Sequence, residues 1–441
     1  MQVRFWGTRG SIATPGPGTN HFGGNTSCVE LETGEGHILI FDCGTGARLL
    51  GAELLERAQQ PISASILFGH THWDHIQGFP FFAPAFMPGN KIDVYAPEGG
   101  HRSLQDVLAG QMEFTYFPVE LDQLPATITY NVLAEGVYQI GGVSVTTQYL
   151  NHPAVTLGYR VECDGAVVVY MTDHEPFADT LWRNGAEPGS IESMVHEGDR
   201  RHARFMTGAD LVIHDAQYTP EEYPAKKNWG HSTYEYVVEL AAAAGVRQLA
   251  LTHHDPAHDD AFIAEVEQRA RAVADKRGGH LDLLCAYEGC TLKIEPRRSR
   301  DRFDPTISGS NPVRPPSLRI LVVDDNDDLR MLTKEALQRE HYNVIEASGG
   351  AEALRLIGEK SPDLVMLDLV MPDPDGLAVL RMLRAKPETA HLPVILLTGM
   401  DDANSIKEGF DAGATDYLAK PFSRPQLYAR IRACLTRAIK P

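Results

Sequence analysis

Six residues in a row, His70-Thr71-His72-Trp73-Asp74-His75, bring three imidazoles and a carboxylate together. That is more ligand than a folding core needs, because each buried polar group costs free energy unless it is paired, and a metal is the economical explanation. A functionless surface cluster fits so compact a spacing poorly. Residues 65–68, Ser-Ile-Leu-Phe, read as a short buried strand, so the cluster falls where a strand ends and a loop turns toward a helix. In extended chain His70 and His72 point the same way, while Asp74 and His75 follow on the turn and face a second position nearby. Two ions suit this spacing better than one. Imidazole with carboxylate suits zinc, manganese or iron, and adjacent ions of this kind can clamp an in-line displacement at phosphorus.

The elements that must position these groups are strands that end in polar residues. Residues 143–150 read as a strand ending in Asn151-His152-Pro153, and residues 155–162 and 166–171 as a hairpin around Asp164-Gly165 that runs into Thr172-Asp173-His174-Glu175. Residues 211–213 end in His214-Asp215, and 248–251 end in Thr252-His253-His254. One such end is unremarkable; the repetition is the signal. His70, His72 and His152 can form one metal site and Asp74, His75 and His253 a second, with Asp173 bridging and a water shared between the ions. Upstream, strands at 3–6 and 27–32 flank a turn-rich loop, and a strand at 37–41 closes on Asp42-Cys43-Gly44-Thr45-Gly46 before a helical pattern over 47–57. Asp42 is open between bonding to the metal loop and capping its own turn. Gly230-His231-Ser232-Thr233 opens a helix, with Ser232 or Thr233 as candidate cap.

At 441 residues the chain predicts two domains, possibly three. Its 40 Lys+Arg against 59 Asp+Glu give a formal charge of −19, which disfavours a grip on nucleic-acid phosphates. The six cysteines are scattered without disulfide-framework or zinc-finger spacing, which predicts a reduced, cytoplasmic protein. The start lacks a basic stretch followed by an apolar one, and no apolar run approaches the roughly 18 residues of a membrane span. Residues 297–316, rich in Arg, Ser, Gly and Pro, read as a linker. Beyond it strands at 318–323, 343–346, 364–367, 394–397 and 416–418 alternate with helical patterns, a five-fold βα order that predicts a parallel sheet. Asp324 and Asp325 end the first of these strands, Asp368 the third and Thr398 the fourth, and Lys420 follows the fifth, so they converge at the carboxyl edge. Three neighbouring acids repel unless a cation sits among them, and oxygen ligands suit Mg²⁺.

Over residues 1 to about 296 these spacings resemble the metallo-β-lactamase superfamily, which implies an α/β fold of αββα sandwich type. Within it, Gly7-Thr8-Arg9-Gly10-Ser11, Gly23-Gly24-Asn25-Thr26-Ser27 and Gly230-His231-Ser232-Thr233 are similar to the phosphodiesterase and ribonuclease Z branch. The resemblance assigns His70, His72, Asp74, His75, His152, Asp173 and His253 as ligands of two divalent ions (Zn or Mn, with Fe a further option). It adds His231, held by Asp215, as donor of a proton to the leaving alkoxide, with Asp74 in the catalytic set. His174, His254 and Glu175 are expected to support the site or the fold rather than to ligate. Residues 317–441 hold 16 Lys+Arg and 19 Asp+Glu, so −16 of the charge falls on residues 1–316. Such a surface repels RNA, which favours a small phosphodiester, a cyclic nucleotide or cyclic phosphate. Two other functions fit the same residues: hydrolysis of a lactone or β-lactam, and a non-catalytic metal or redox sensor.

Residues 317–441 resemble the receiver domain of response regulators, a doubly wound (βα)5 fold. The resemblance implies that Asp368 accepts a phosphoryl group from a histidine kinase or phosphotransfer protein, that Asp324 and Asp325 hold Mg²⁺, and that Thr398 and Lys420 bind the phosphoryl oxygens. Tyr417 matches the aromatic that reorients on activation. Receivers of this kind also make a homodimer plausible. The domains predicted are thus 1–296, a metallohydrolase, and 317–441, a receiver, joined by the linker 297–316.

Overall fold

The computed structural model describes residues 1–58, 61–97, 102–183, 189–278, 281–296, 318–339, 342–372, 374–399, 408–409, 412–420, 422, 427–428, 430–431 and 434. The chain divides into two compact units, Met1–Asn311 and Pro312–Pro441; the expected linker, 297–316, lies outside the described residues. No described helix is long and apolar enough to cross a membrane.

In the first unit, strands β1 (Gln2–Gly7), β2 (Cys28–Glu32), β3 (Ile38–Phe41), β4 (Ser63–Leu67), β5 (Lys91–Pro97) and β6 (Thr127–Leu133) lie side by side in one sheet, and the last strand, named below, joins it beside β1. The second sheet is built from β7 (Gly136–Ile140), β8 (Val143–Tyr149), β9 (Leu157–Cys163), β10 (Ala166–Met171), β11 (Leu211–Asp215), β12 (Gln248–Thr252) and β13 (Asp282–Cys285), again in neighbouring order. β14 (Thr291–Lys293) returns to pair antiparallel with β1. The hairpin expected around Asp164-Gly165 joins β9 to β10 with Cys163 opposite Ala166, both turn residues having positive φ.

Side-chain alternation turns these sheets into four layers. All six residues of β10 are buried, as in a strand covered on both faces. Val168 and Tyr170 point into the inter-sheet core with Phe5, Phe41, Val145 and Val161, while Val167, Val169 and Met171 meet a helical layer. That layer comprises α4 (Glu197–Met206), α5 (Tyr234–Ala243) and α6 (Asp260–Lys276), and contributes Phe205, Val237, Leu240 and Ile263. The other sheet turns Ile40, Ile66 and Val94 toward α1 (Ala47–Arg57) and α3 (Leu104–Gln111). Phe79 and Phe82 belong to this core, whereas Phe81 is exposed. The short α2 (Trp73–Ile76) starts inside the histidine motif. The unit is therefore an αββα sandwich.

The second unit holds five parallel strands, β15 (Arg319–Val323), β16 (Asn343–Ala347), β17 (Leu364–Asp368), β18 (Val394–Gly399) and β19 (Asp416–Lys420), in the spatial order β16-β15-β17-β18-β19. Helices α7 (Asp327–Arg339), α8 (Gly350–Lys360) and α9 (Gly376–Arg384) follow the first three. Leu321, Val323, Val365 and Leu367 feed one core, and Ile320, Val322, Leu364 and Met366 the opposite one. Cores on both faces of a parallel sheet define a doubly wound α/β domain.

Candidate metal centre

At the carboxyl ends of β4, β8, β10 and β12 the chain gathers the residues singled out above. Donor atoms of His70, His72, His152 and Asp173 lie within 4.8 Å of one another, and those of Asp74, His75 and His253 form a second group by the same measure. Asp173 faces both groups. Its Oδ2 is 3.6 Å from His70 Nε2 and 3.7 Å from His152 Nε2, and its Oδ1 is 3.3 Å from Nε2 of both His75 and His253. Asp74 Oδ2 lies 3.3 Å from His75 Nε2 and 3.1 Å from His253 Nε2.

Local backbone strain aims these side chains. Asp42, just past β3, has φ 57°, Asp173, two residues past β10, has φ 64°, and His253, just past β12, has φ 60°. Aspartate and histidine enter this left-handed region more readily than most residues, and such strain concentrates at functional sites. Asp42 is fully buried and does not merely cap its turn. Its Oδ2 accepts from Tyr170 Oη at 2.6 Å and pairs with His75 Nδ1 at 2.8 Å, while Oδ1 accepts from the Gly69 amide at 2.8 Å. This holds His75 with Nε2 toward the centre. His152 Nδ1 is likewise 3.0 Å from the Gly230 carbonyl, and the Ser11 amide donates to Asp74 Oδ2 at 2.7 Å. Gly230 is required there: its φ is +89°, and a Cβ would fall 2.1 Å from His152 Nδ1.

The donor set fits a pair of divalent cations. Among the described residues His70 Nε2, His75 Nε2 and Asp173 Oδ1 are buried with no hydrogen-bond partner, a concentration of unsatisfied atoms that calls for a ligand. Burial pushes His70 and His72 below the ordinary imidazole range and His152 down to about 3, so all three offer neutral lone pairs. At His75 and His253 burial acts the same way but is outweighed by nearby carboxylates, Asp74, Asp42 and Asp173 for the first and Asp173 and Asp74 for the second, which raise both. Asp42→Ala removes the acceptor behind His75 and is expected to weaken metal retention about 10- to 100-fold, measured by competition with a chelator.

His231 sits over this centre, its ring 5.0 Å from that of His253 and 5.5 Å from that of His152. Its Nδ1 is 3.6 Å from Asp215 Oδ2, an ion-pair distance rather than a hydrogen bond. That oxygen accepts the Ser232 amide at 2.9 Å, and Oδ1 accepts the His174 amide at 3.1 Å. Burial alone would raise the Asp215 carboxyl; His214 and His231 hold it well below the usual carboxylate range. Ser232 is not the helix cap. Thr233 is, accepting from the Tyr236 amide, whereas the Ser232 hydroxyl donates to the His174 carbonyl. Glu175 stiffens the loop as expected, bonding Tyr223 Oη and the amides of Asn228 and Gly230. His254 Nε2 is 2.9 Å from the Ala286 carbonyl. His174 lies flat on His202, rings 3.6 Å apart, and His202 Nε2 is 2.8 Å from His214 Nε2; sequence reasoning passed over His202.

In the second unit Asp324, Asp325 and Asp368 bring carboxylate oxygens within 4.8 Å of one another. Asp324 and Asp368 are buried and Asp325 is exposed. Lys420 Nζ lies 2.8 Å from Asp324 Oδ2 and 2.8 Å from Asp368 Oδ2. Burial raises the Asp368 carboxyl, opposed by Lys420 and reinforced by Asp324, so an oxygen-seeking cation such as Mg²⁺ fits the acid cluster. Thr398 is buried, its hydroxyl oxygen without a hydrogen-bond partner among the described residues. Tyr417 is half-buried beneath the Arg430 guanidinium, 5.7 Å from its ring centre.

An αββα sandwich with histidines and aspartates gathered at its strand ends defines the metallo-β-lactamase fold, and a β-lactamase superfamily domain matches residues 37–254. A response regulator receiver domain matches residues 320–432. The chain thus joins a β-lactamase-superfamily domain to a C-terminal response-regulator receiver domain. Among curated proteins, response regulator MprA of Mycobacterium sp. (strain KMS) is 46% identical over 120 residues, which is 27% of this chain and 51% of MprA. The chain therefore spans about half the length of that relative. Among solved structures, the short form of human tRNase Z is 20% identical, covering 67% of this chain and 100% of its own, with a TM-score of 0.44. A diphosphatase of the PhnP family is 17% identical, covering 67% of this chain and 98% of its own, with a TM-score of 0.45.

Proposed function

We propose that the first unit is a dinuclear metal hydrolase of small phosphodiesters, cyclic nucleotides or cyclic phosphates, and that the second regulates it through phosphorylation of Asp368 in a cytoplasmic two-component system. One observation carries the hydrolase: Asp173 offers one oxygen to the His70, His72 and His152 group and the other to the Asp74, His75 and His253 group. When bound, a pair of Zn²⁺ or Mn²⁺ ions would supply Lewis-acid stabilisation of phosphoryl oxygens and a water acidic enough to attack. The chain does the rest. Asp42, Ser11 and the Gly230 carbonyl hold His75, Asp74 and His152 in place. His231, backed by Asp215, protonates the leaving oxygen, the step that separates cleavage of an alkyl diester from that of an activated ester. The charge of −16 on residues 1–316 supports a small substrate over RNA.

Metal-loaded protein is expected to hydrolyse bis(p-nitrophenyl) phosphate, and His72→Ala to abolish this. Failure of the intact, loaded chain on a full panel of cyclic and linear diesters overturns the proposal. For the receiver, Asp368 is the phosphoryl acceptor from a histidine kinase or phosphotransfer protein, Asp324 and Asp325 hold Mg²⁺, and Thr398 and Lys420 meet the phosphoryl oxygens. Incubation with acetyl phosphate and Mg²⁺ is expected to add a single phosphoryl mass to the full chain and none to Asp368→Asn, read by intact-mass spectrometry. Diesterase rates with and without beryllofluoride report the coupling.

A further inference from the structure

Two exposed indoles spring from the backbone of the candidate metal centre. Trp73 is 71% exposed and is bonded to His72 on one side and Asp74 on the other, and Trp229 is 57% exposed and directly precedes Gly230, whose carbonyl holds His152 Nδ1. His72 Nδ1 and His152 Nε2 are 3.2 Å apart, so Trp73 adjoins one member of this imidazole pair in the chain and Trp229 adjoins the residue whose carbonyl holds the other. Phe79, Phe82 and Tyr159 are packed away, while Phe81, Phe114 and Tyr116 are exposed elsewhere on this unit; the two indoles differ from these in adjoining residues of the candidate metal centre. Leaving two indoles in water beside a reactive centre is the arrangement of a ligand platform.

Lys226 completes it. Its ammonium lies 4.3 Å from the centre of the Trp229 ring and 5.7 Å from that of Tyr218, whereas its neighbour Lys227 pairs with Asp179 at 2.7 Å. A cation over an aromatic face is held by the ring's electrons, and at 57% exposure the Trp229 ring still presents surface to solvent. Tyr218 in turn meets His231 edge-on, ring centres 5.9 Å apart, so the shelf runs from the proton donor outward.

We infer that Trp229, Lys226 and Trp73 form a subsite for the part of the substrate that is not attacked, and that this part is a nucleobase. The substrate class is then a nucleoside-bearing phosphodiester rather than a base-free cyclic phosphate. A planar base stacks on an open indole face whatever its hydrogen-bonding edge, and the ammonium meets the phosphate or the base carbonyls. The inference rests on the phosphodiesterase reading for the position of the reacting phosphoryl group.

The test uses the full, metal-loaded chain and two readouts. In the first, kcat/KM is measured on adenosine 2′,3′-cyclic phosphate and on ethylene phosphate, which has the same ring without ribose or base. Trp229→Ala is expected to lower the first by about tenfold or more relative to the second, as loss of one stacking partner implies, and Trp229→Phe to restore most of it. In the second, quenching of indole fluorescence is expected to show adenosine 5′-monophosphate binding more tightly than ribose 5-phosphate, a preference that Trp229→Ala removes. Equal losses on both diesters, or equal affinity for the two monophosphates, overturn the inference. A chain that binds the nucleotide through Trp229 yet cleaves no diester keeps this subsite and sinks the hydrolase, and one that cleaves both diesters without preference does the reverse.

Discussion

Asp173→Asn is expected to strip the first unit of both cations at once and to leave no measurable diester hydrolysis. The substitution spares the backbone, because asparagine tolerates the φ of 64° that residue 173 adopts, and it is nearly the same size as aspartate. What it removes is the anionic carboxylate that lies 3.3 Å from Nε2 of both His75 and His253 on one side and 3.6 Å from His70 Nε2 on the other. Among the described residues no other carboxylate serves both groups, since Asp74 pairs with the imidazoles of His75 and His253 alone. Asp74→Asn is therefore expected to deplete one position and spare the other. Metal analysis of the two variants beside the parent separates a shared ligand from an ordinary one. Equal depletion in both would mean that Asp173 does not bridge.

The second large effect belongs to His231. Removing a positioned general acid lowers rates by about 10²- to 10⁴-fold, but only where the leaving group needs the proton. For His231→Ala that fall is expected in kcat on a dialkyl or cyclic phosphodiester, with a far smaller change on bis(p-nitrophenyl) phosphate, whose phenolate leaves unaided. Asp215→Asn is expected to follow the same leaving-group pattern more weakly, because Asp215 reaches His231 at 3.6 Å while also holding the Ser232 and His174 amides. Equal losses on both substrate types would instead assign His231 to structure or to metal binding, for which its place near Asp173 and His253 offers a route.

How much of this is legible in the chain follows from the physics of each element. Strands that stop at a polar residue announce themselves, because β10 is six apolar residues and then Thr172-Asp173, and a weaker form of this contrast marks His253 after β12; β8, Val-Ser-Val-Thr-Thr-Gln-Tyr, is mostly polar and frames His152 less sharply. Metal-ligand types at strand ends are a local signal, as are the acids that close β15 and β17 in the receiver. Contacts across long sequence distances are not. Asp42 pairs with Tyr170, 128 residues away, and with His75, 33 away, so the sequence left it open between two roles that only the folded sheets separate. His202 hides in α4, Glu-Gly-Asp-Arg-Arg-His-Ala-Arg-Phe-Met, where a run of charges masks the buried face that carries it to His174 and His214. Ser232 and Thr233 are adjacent capping residues, and chemistry alone does not choose between them; Asp215 takes the Ser232 amide, leaving Thr233 to close the helix.

The central claim is that one carboxylate joins two metal positions. Crystals of the Zn²⁺- or Mn²⁺-loaded protein, with diffraction recorded on either side of the metal absorption edge, test it most directly. Two anomalous peaks are predicted in the first unit, one against His70, His72 and His152, the other against Asp74, His75 and His253, with an oxygen of Asp173 on each. A single peak, or two peaks neither of which touches Asp173, would contradict it.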